Sequence, residues 1–192
     1  MGTNVIAVMR FVHDVRRDFF ESAATLGWKE FTRDRGVSLG SFRSVFLHLA
    51  TVEDQHVTQF CEGKPTPWPA SLMKIPTDEY RNLPEVRRRL ASVTKRAEAS
   101  FRKWDTPRAL AKPVVWMAGP YPVRVTRDTA LMQCATEHLF HLGEVEAMLW
   151  QLDRKPPTTL WIEREVLNFR WPPPKRMLAP QKKRPKRATP RS

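Results

Sequence analysis

The residues with the clearest chemical potential are one histidine near position 50 and a group of histidines and glutamates near position 140. His48 lies within an apolar stripe, so it faces the core side of a predicted helix. Glu137 and His141 are four residues apart, which places both on one face of a later helix, and Glu144 follows one turn further on. These spacings predict two groups of side chains on two different helices.

A histidine from one helix and two ligands four residues apart on another converge inside a helical bundle, where such proteins build metal sites. His48, Glu137 and His141 would form a set of two histidines and one carboxylate with open coordination positions. Nitrogen and oxygen donors suit zinc, nickel, iron or manganese. Glu144, if it lies near an open position, would act as a base or would orient a ligand. The spacing therefore predicts a divalent metal site.

A purely structural role accounts for the same spacing and stays open as an alternative. A histidine on an apolar face is commonly a core residue with a hydrogen-bond partner, and glutamate four residues before histidine is a common helical pair. The identity of the second ligand is also open. His138 is adjacent to Glu137, and a small rotation of the helix would present His138 in its place.

The elements that would carry these residues are long amphipathic helices. Apolar residues recur three or four apart over four stretches, which predicts helices over residues 4–26, 41–63, 83–104 and 127–152. Ser41 is the predicted N-cap of the second helix. Residues 114–126 alternate around a Gly-Pro turn and predict a hairpin, and a shorter fifth helix is predicted over 159–169. The pattern indicates an all-α protein, a four-helix bundle with a short hairpin before its last helix.

Charge divides the 192 residues into a domain over 1–171 and a basic tail over 172–192. The tail holds eight basic residues and no acidic one. Residues 1–171 therefore keep 25 basic and 20 acidic residues, and their net charge is +5 out of the total of +13. The excess charge belongs to the tail, which predicts weak, nonspecific binding to polyanions. No aromatic residue follows Trp171, so the tail offers nothing for base stacking.

Cysteine content and hydropathy narrow the class further. Cys61 and Cys134 cannot form a disulfide framework or a cysteine zinc site, so a reducing cytoplasm is the expected location. No apolar run approaches the roughly 18–20 residues that a membrane span needs. Cys134 is expected to be buried and inert. Trp116, Trp150 and Trp161 would either wall the site or belong to the core.

Two segments resemble a known superfamily. Residues 41–49 (SFRSVFLHL) are similar to the second-helix motif of the DinB/YfiT-like superfamily, and residues 137–145 (EHLFHLGEV) are similar to its last-helix motif. The resemblance extends over about residues 4–165. At matching positions, His48 and His141 correspond to the first and third metal ligands, and Glu137 stands where the second ligand is usually histidine.

The resemblance implies a four-helix bundle that holds one divalent metal at one end and often forms a homodimer. Some relatives are thiol-dependent transferases or isomerases that use mycothiol or bacillithiol, and others are metal-dependent hydrolases. The expected function is therefore a metal-dependent transferase or hydrolase acting on a small substrate, with a low-molecular-weight thiol as a candidate partner. The alternative is a non-catalytic metal-binding bundle, or a nucleic-acid-associated bundle that works through its tail.

Overall fold

The computed structural model describes residues 4–63, 77–118 and 121–159, and these residues are mostly helical. They form six α-helices, one π-helical segment, one 3-10 turn over Thr77–Glu79 and a single two-stranded sheet. The helices are α1 (Val5–Ala24), α2 (Gly27–Thr32), α3 (Phe42–Glu53), α4 (Leu83–Trp104), α5 (Pro107–Leu110) and α6 (Arg127–Trp150). The predicted helical class is thus confirmed for the described part of the chain.

The helix α1 begins and ends close to the predicted limits of 4 and 26. Asn4 caps it by accepting a hydrogen bond of 2.8 Å from the backbone N–H of Ile6. The helix ends before Gly27, whose φ of +77° is the left-handed conformation that glycine adopts without a steric penalty. The six-residue α2 that follows was not predicted, because six residues are too few to display a helical period. It buries Phe31 against the core.

The predicted second helix is two elements. Ser41 is its N-cap, as predicted, and accepts from the backbone N–H of Ser44 at 3.2 Å. However, α3 ends at Glu53, and a π-helical segment over Asp54–Phe60 continues in its place. Within this segment the backbone N–H of Cys61 donates to the carbonyl of His56, five residues earlier, at 3.0 Å. This wider turn changes the direction of every side chain after Glu53.

The predicted third helix is confirmed as α4, with the limits 83 and 104. Reciprocal hydrogen bonds fix its start: Asn82 accepts from the backbone N–H of Glu85 at 3.0 Å, and the Glu85 carboxylate accepts from the Asn82 side-chain amide at 2.8 Å. Pro84 lies in the first turn, where its missing N–H has no helical partner to lose.

The predicted hairpin and the last long helix are also present. The strands β1 (Pro113–Ala118) and β2 (Tyr121–Thr126) pair antiparallel, with Pro113 opposite Thr126. The helix α6 starts directly after β2 and ends at Trp150, two residues before the predicted limit. The Arg127 guanidinium anchors its start by donating to the Cys61 carbonyl at 3.0 and 3.1 Å and by covering the Trp104 ring. The hairpin therefore leads straight into the helix that carries Glu137 and His141.

The long helices pack side by side, with α1 against α6, α6 against α3, and α3 against α4. Their buried apolar side chains form two clusters, one around Phe19 and Phe46 and one around Met9 and Phe101. Along each long helix, a buried or partly buried polar side chain lies near the point where one cluster gives way to the other, and there are five such side chains. They are His13, Arg16, Glu53, Thr94 and His138. A polar layer therefore crosses the helical core.

No helix within the described ranges is long and apolar enough to span a membrane. The basic tail predicted over 172–192 lies outside the described residues. So does the fifth helix predicted over 159–169, except for residue 159. Their predictions stand as made from the sequence.

His56, in the π-helical segment, should make stability depend on pH. Burial lowers its pKa to about 4, whereas an unfolded histidine has a pKa of about 6.5. Between these values the unfolded chain binds a proton that folded His56 does not, so the free energy of unfolding falls as pH falls from about 6.5 to about 4. One such group contributes a slope of about 1.4 kcal/mol per pH unit.

Urea unfolding of the parent and of His56→Gln, with a chelator present, checks this expectation. The variant should show a shallower decline in unfolding free energy between pH 6.5 and 4.5. Equal slopes for the two proteins would contradict the assignment of a depressed pKa to His56.

Candidate metal centre

Two helices bring the three predicted ligands together. His48 projects from α3, and Glu137 and His141 project from one face of α6, which packs directly against α3. One nitrogen or oxygen atom from each of the three side chains lies within 4.8 Å of the others. The structure therefore brings together the set that the sequence singled out, in an arrangement that could hold a metal ion.

The distances identify the atoms that face one another. The Nε2 atoms of His48 and His141 lie 3.5 and 3.3 Å from Oε1 of Glu137. The two imidazole rings meet edge to face, with their centroids 4.6 Å apart. Glu137 is the most accessible of the three, with 34 % of its side chain exposed against 15 % for His48 and 9 % for His141. The group is thus buried on the histidine side and open to solvent on the carboxylate side.

The state of His48 fits that of a metal ligand. Its Nε2 atom is buried and makes no hydrogen bond within the described residues. Burial and the nearby His141 both lower the pKa of His48, which favours the neutral imidazole that binds metal ions. A buried imidazole nitrogen that faces a carboxylate and a second imidazole is an arrangement that a bound cation would satisfy.

His141 is oriented from its other ring nitrogen. Its Nδ1 lies 2.8 Å from Oε2 of Glu144, and the other oxygen of Glu144 accepts from the Ser38 hydroxyl. Burial alone would raise the pKa of Glu144, but these hydrogen bonds outweigh it and the pKa is lowered. The ionised carboxylate of Glu144 accepts a hydrogen bond from Nδ1–H of His141, which leaves the lone pair of Nε2 facing the site. Of the two roles predicted for Glu144, these contacts support the orienting one.

The contacts of His138 bear on the open choice between this residue and Glu137. His138 is fully buried, and its Nδ1 donates to the backbone carbonyl of Cys134 at 2.9 Å. The neutral ring then carries a lone pair on Nε2, which accepts from Nη1 of Arg16 at 3.0 Å. Both ring nitrogens are occupied away from the site. Of these two residues, Glu137 is the one that belongs to the group that could hold a metal ion.

Cys134 and two of the tryptophans singled out in the sequence, Trp116 and Trp150, lie outside the group that could hold a metal ion. Cys134 is fully buried, which raises the pKa of its thiol well above the ordinary value, as its predicted inertness requires. The Trp116 ring packs on His56 at 4.1 Å between centroids, and Trp150 is 56 % exposed. Trp161 lies outside the described residues.

Sequence reasoning missed the partners of this group. Ser38 lies in a loop and carries no periodic signal, so nothing in the sequence pairs it with Glu144. Arg16 and Glu53 did leave a signal, since each is a charged residue inside an apolar stripe and such residues are rarely buried unless paired. Their pairing across 37 positions is visible only in the structure.

No protein-family model matches the chain, and no curated protein matches it significantly.

Removal of Glu144 should weaken metal binding without removing a ligand. We expect Glu144→Ala to bind zinc about 10- to 100-fold more weakly, because His141 loses the partner that fixes its tautomer and orientation. Glu144→Gln keeps an acceptor and should lose less. Competition titration with a chromophoric chelator measures both affinities.

Glu146→Ala is the matched control, since it removes the same charge from the same helix two residues away. Its affinity should equal that of the parent. A Glu144→Ala protein that binds zinc as tightly as the Glu146→Ala control would show that Glu144 does not orient the site.

Proposed function

We propose that the protein is a divalent-metal-dependent enzyme of the DinB/YfiT-like type, a four-helix bundle that acts on a small substrate. The observation that supports this proposal is the convergence of His48, Glu137 and His141 from two helices onto one point. These are the positions at which the sequence resembles the ligand motifs of that superfamily. Two motifs far apart in the chain thus meet in space.

The donor set suits a transition metal. Two imidazole nitrogens and one carboxylate oxygen bind zinc, nickel, iron or manganese and leave coordination positions open. When bound, such an ion supplies Lewis acidity to a thiol or to a water molecule. No fourth histidine, cysteine, aspartate or glutamate joins the group within the described residues, and three protein ligands are typical of catalytic rather than structural zinc sites.

The surrounding residues have roles of their own. Glu144 and Ser38 hold the His141 ring, and burial lowers the pKa of His48, which favours its neutral form. The exposed edge of Glu137 marks the side from which a substrate reaches the site. Phe140 lies on α6 beside His141, with 68 % of its surface exposed, and it contacts the His141 ring edge to face. Phe140 would offer an apolar surface to the substrate beside the metal.

The proposed reaction is group transfer to a low-molecular-weight thiol or hydrolysis of a small substrate. A non-catalytic metal-binding protein would use the same three ligands, so metal binding alone does not separate the two. Turnover of a thiol-linked or ester substrate by the metal-loaded protein, lost together with the metal, would distinguish the enzyme. The nucleic-acid alternative depends on residues 172–192, which lie outside the described residues.

Metal content tests the proposal. We expect untagged protein to bind close to one equivalent of a transition metal, measured by elemental mass spectrometry after loading and desalting. His48→Ala and His141→Ala should each lose most of it, because each removes one of three ligands.

His56→Gln serves as the control, since it removes a buried imidazole that is not part of the group. It should retain the metal. Parent protein that takes up no zinc, nickel, iron or manganese, or histidine variants that bind as well as the parent, would refute the proposed function.

A further inference from the structure

A buried cluster beside the metal group links four helices through one arginine. Arg16 of α1 is almost fully buried, and its Nη1 contacts both Glu53 of α3 and Nε2 of His138 of α6. Its Nη2 donates to the Thr94 hydroxyl of α4 at 2.7 Å. The second oxygen of Glu53 lies 2.9 Å from Nε2 of His13. Arg16, Glu53 and His138 are called the inner clamp below.

The inner clamp is fixed by charge. Burial alone would raise the pKa of Glu53, but Arg16 and His13 outweigh it and hold that pKa well below its ordinary value. An ionised carboxylate with no exposed surface is stable only beside its partner, and removal of one member leaves an uncompensated buried charge. Arg16 and Glu53 therefore stay paired, and Arg16 stays in contact with His138.

The clamp determines what α6 presents to the metal group. Residues 137 and 138 are about 100° apart around a helix, so only one of them can face His48. With Nδ1 on the Cys134 carbonyl and Nε2 on Arg16, His138 is held toward the interior. Glu137 then faces His48 and lies on the same side of α6 as His141.

We propose that Arg16 and Glu53 are positioning residues that select the donor set of the metal centre, by withholding His138 so that Glu137 completes the group. This inference rests on the proposed metal-dependent function. The selection has a chemical consequence, because a divalent ion bound by two imidazoles and a carboxylate keeps one net positive charge. With a third imidazole in place of the carboxylate, it would keep two.

Comparing the cost of losing Glu137 in two backgrounds tests the proposal. The released background is Arg16→Met/Glu53→Leu, since replacing a buried ion pair by apolar residues is often tolerated. In the otherwise unaltered protein, Glu137→Ala should weaken zinc binding strongly. In the released background, the factor by which Glu137→Ala weakens zinc binding should be at least about tenfold smaller, because His138 becomes available as a ligand.

Two further variants make the result specific. Adding His138→Ala to the Glu137→Ala variant of the released background should weaken zinc binding as strongly as Glu137→Ala does in the parent. The control background Arg87→Met/Glu21→Leu removes an exposed ion pair that also joins α4 to α1, and Glu137→Ala should weaken zinc binding as much there as in the parent. Circular dichroism verifies that each background is folded.

A measurement on the parent keeps the proposal testable even if the released background fails to fold. In long-range ¹H–¹⁵N NMR, His138 should show the tautomer protonated on Nδ1 both before and after addition of zinc. The Nε2 signals of His48 and His141 should shift on addition of zinc.

The outcomes separate this inference from the proposed function. The positioning role would be overturned if Glu137→Ala weakened zinc binding equally in all backgrounds, or if the released background still bound zinc tightly after Glu137→Ala and His138→Ala were combined. A zinc-induced shift at Nε2 of His138 would also overturn it. A parent protein that binds no zinc, or binds it without His48 and His141, would overturn the proposed function itself.

Discussion

The guanidinium of Arg16 and the carboxylate of Glu53 form an ion pair inside the protein, and much of the architecture is arranged around it. The pair reaches His13 on its own helix α1, Thr94 on α4 and His138 on α6. Breaking such a buried pair by removing one partner costs about 3–5 kcal/mol, whereas an exposed pair such as Arg10–Glu98 is worth about 1 kcal/mol or less. The helices must therefore meet in a register that keeps Arg16 and Glu53 paired and brings His13, Thr94 and His138 into contact with them.

This requirement explains how an apolar core can hold a polar site. The two apolar clusters provide the burial that stabilises the helices, and the polar layer between them determines how the helices are rotated. The candidate metal group, His48, Glu137 and His141, lies beside this layer on α3 and α6, where Glu137 reaches solvent. Residues that would be costly in isolation are thus supported by partners on neighbouring helices.

Local patterns predicted the helices well, because caps and apolar spacing act within a few residues. The capped α4 has its predicted limits, and Ser41 is the predicted N-cap of α3. The π-helical turn after Glu53 was not predicted, because the spacing of Val52, His56 and Phe60 continues through it without a break. The spacing of Glu137 and His141 likewise predicted their common face, because four residues make about one helical turn.

Long-range pairing accounts for what the sequence left open. Spacing alone does not decide between Glu137 and His138, which are adjacent. In the structure His138 contacts Arg16, more than a hundred residues away, and Glu137 faces His48. The link from Ser38 to Glu144 is of the same kind, since a loop serine has no period that could reveal its partner. The chemistry of the site is thus encoded locally, and its orientation is set by tertiary contacts.

The most direct test of the account is an X-ray absorption spectrum at the zinc edge of the zinc-loaded protein. His48, Glu137 and His141 predict a shell of nitrogen and oxygen atoms, with the outer-shell scattering of two imidazoles and the single-scattering contribution of one carboxylate. A shell of oxygen atoms without imidazole scattering would contradict the account, because the ion would then be held somewhere else.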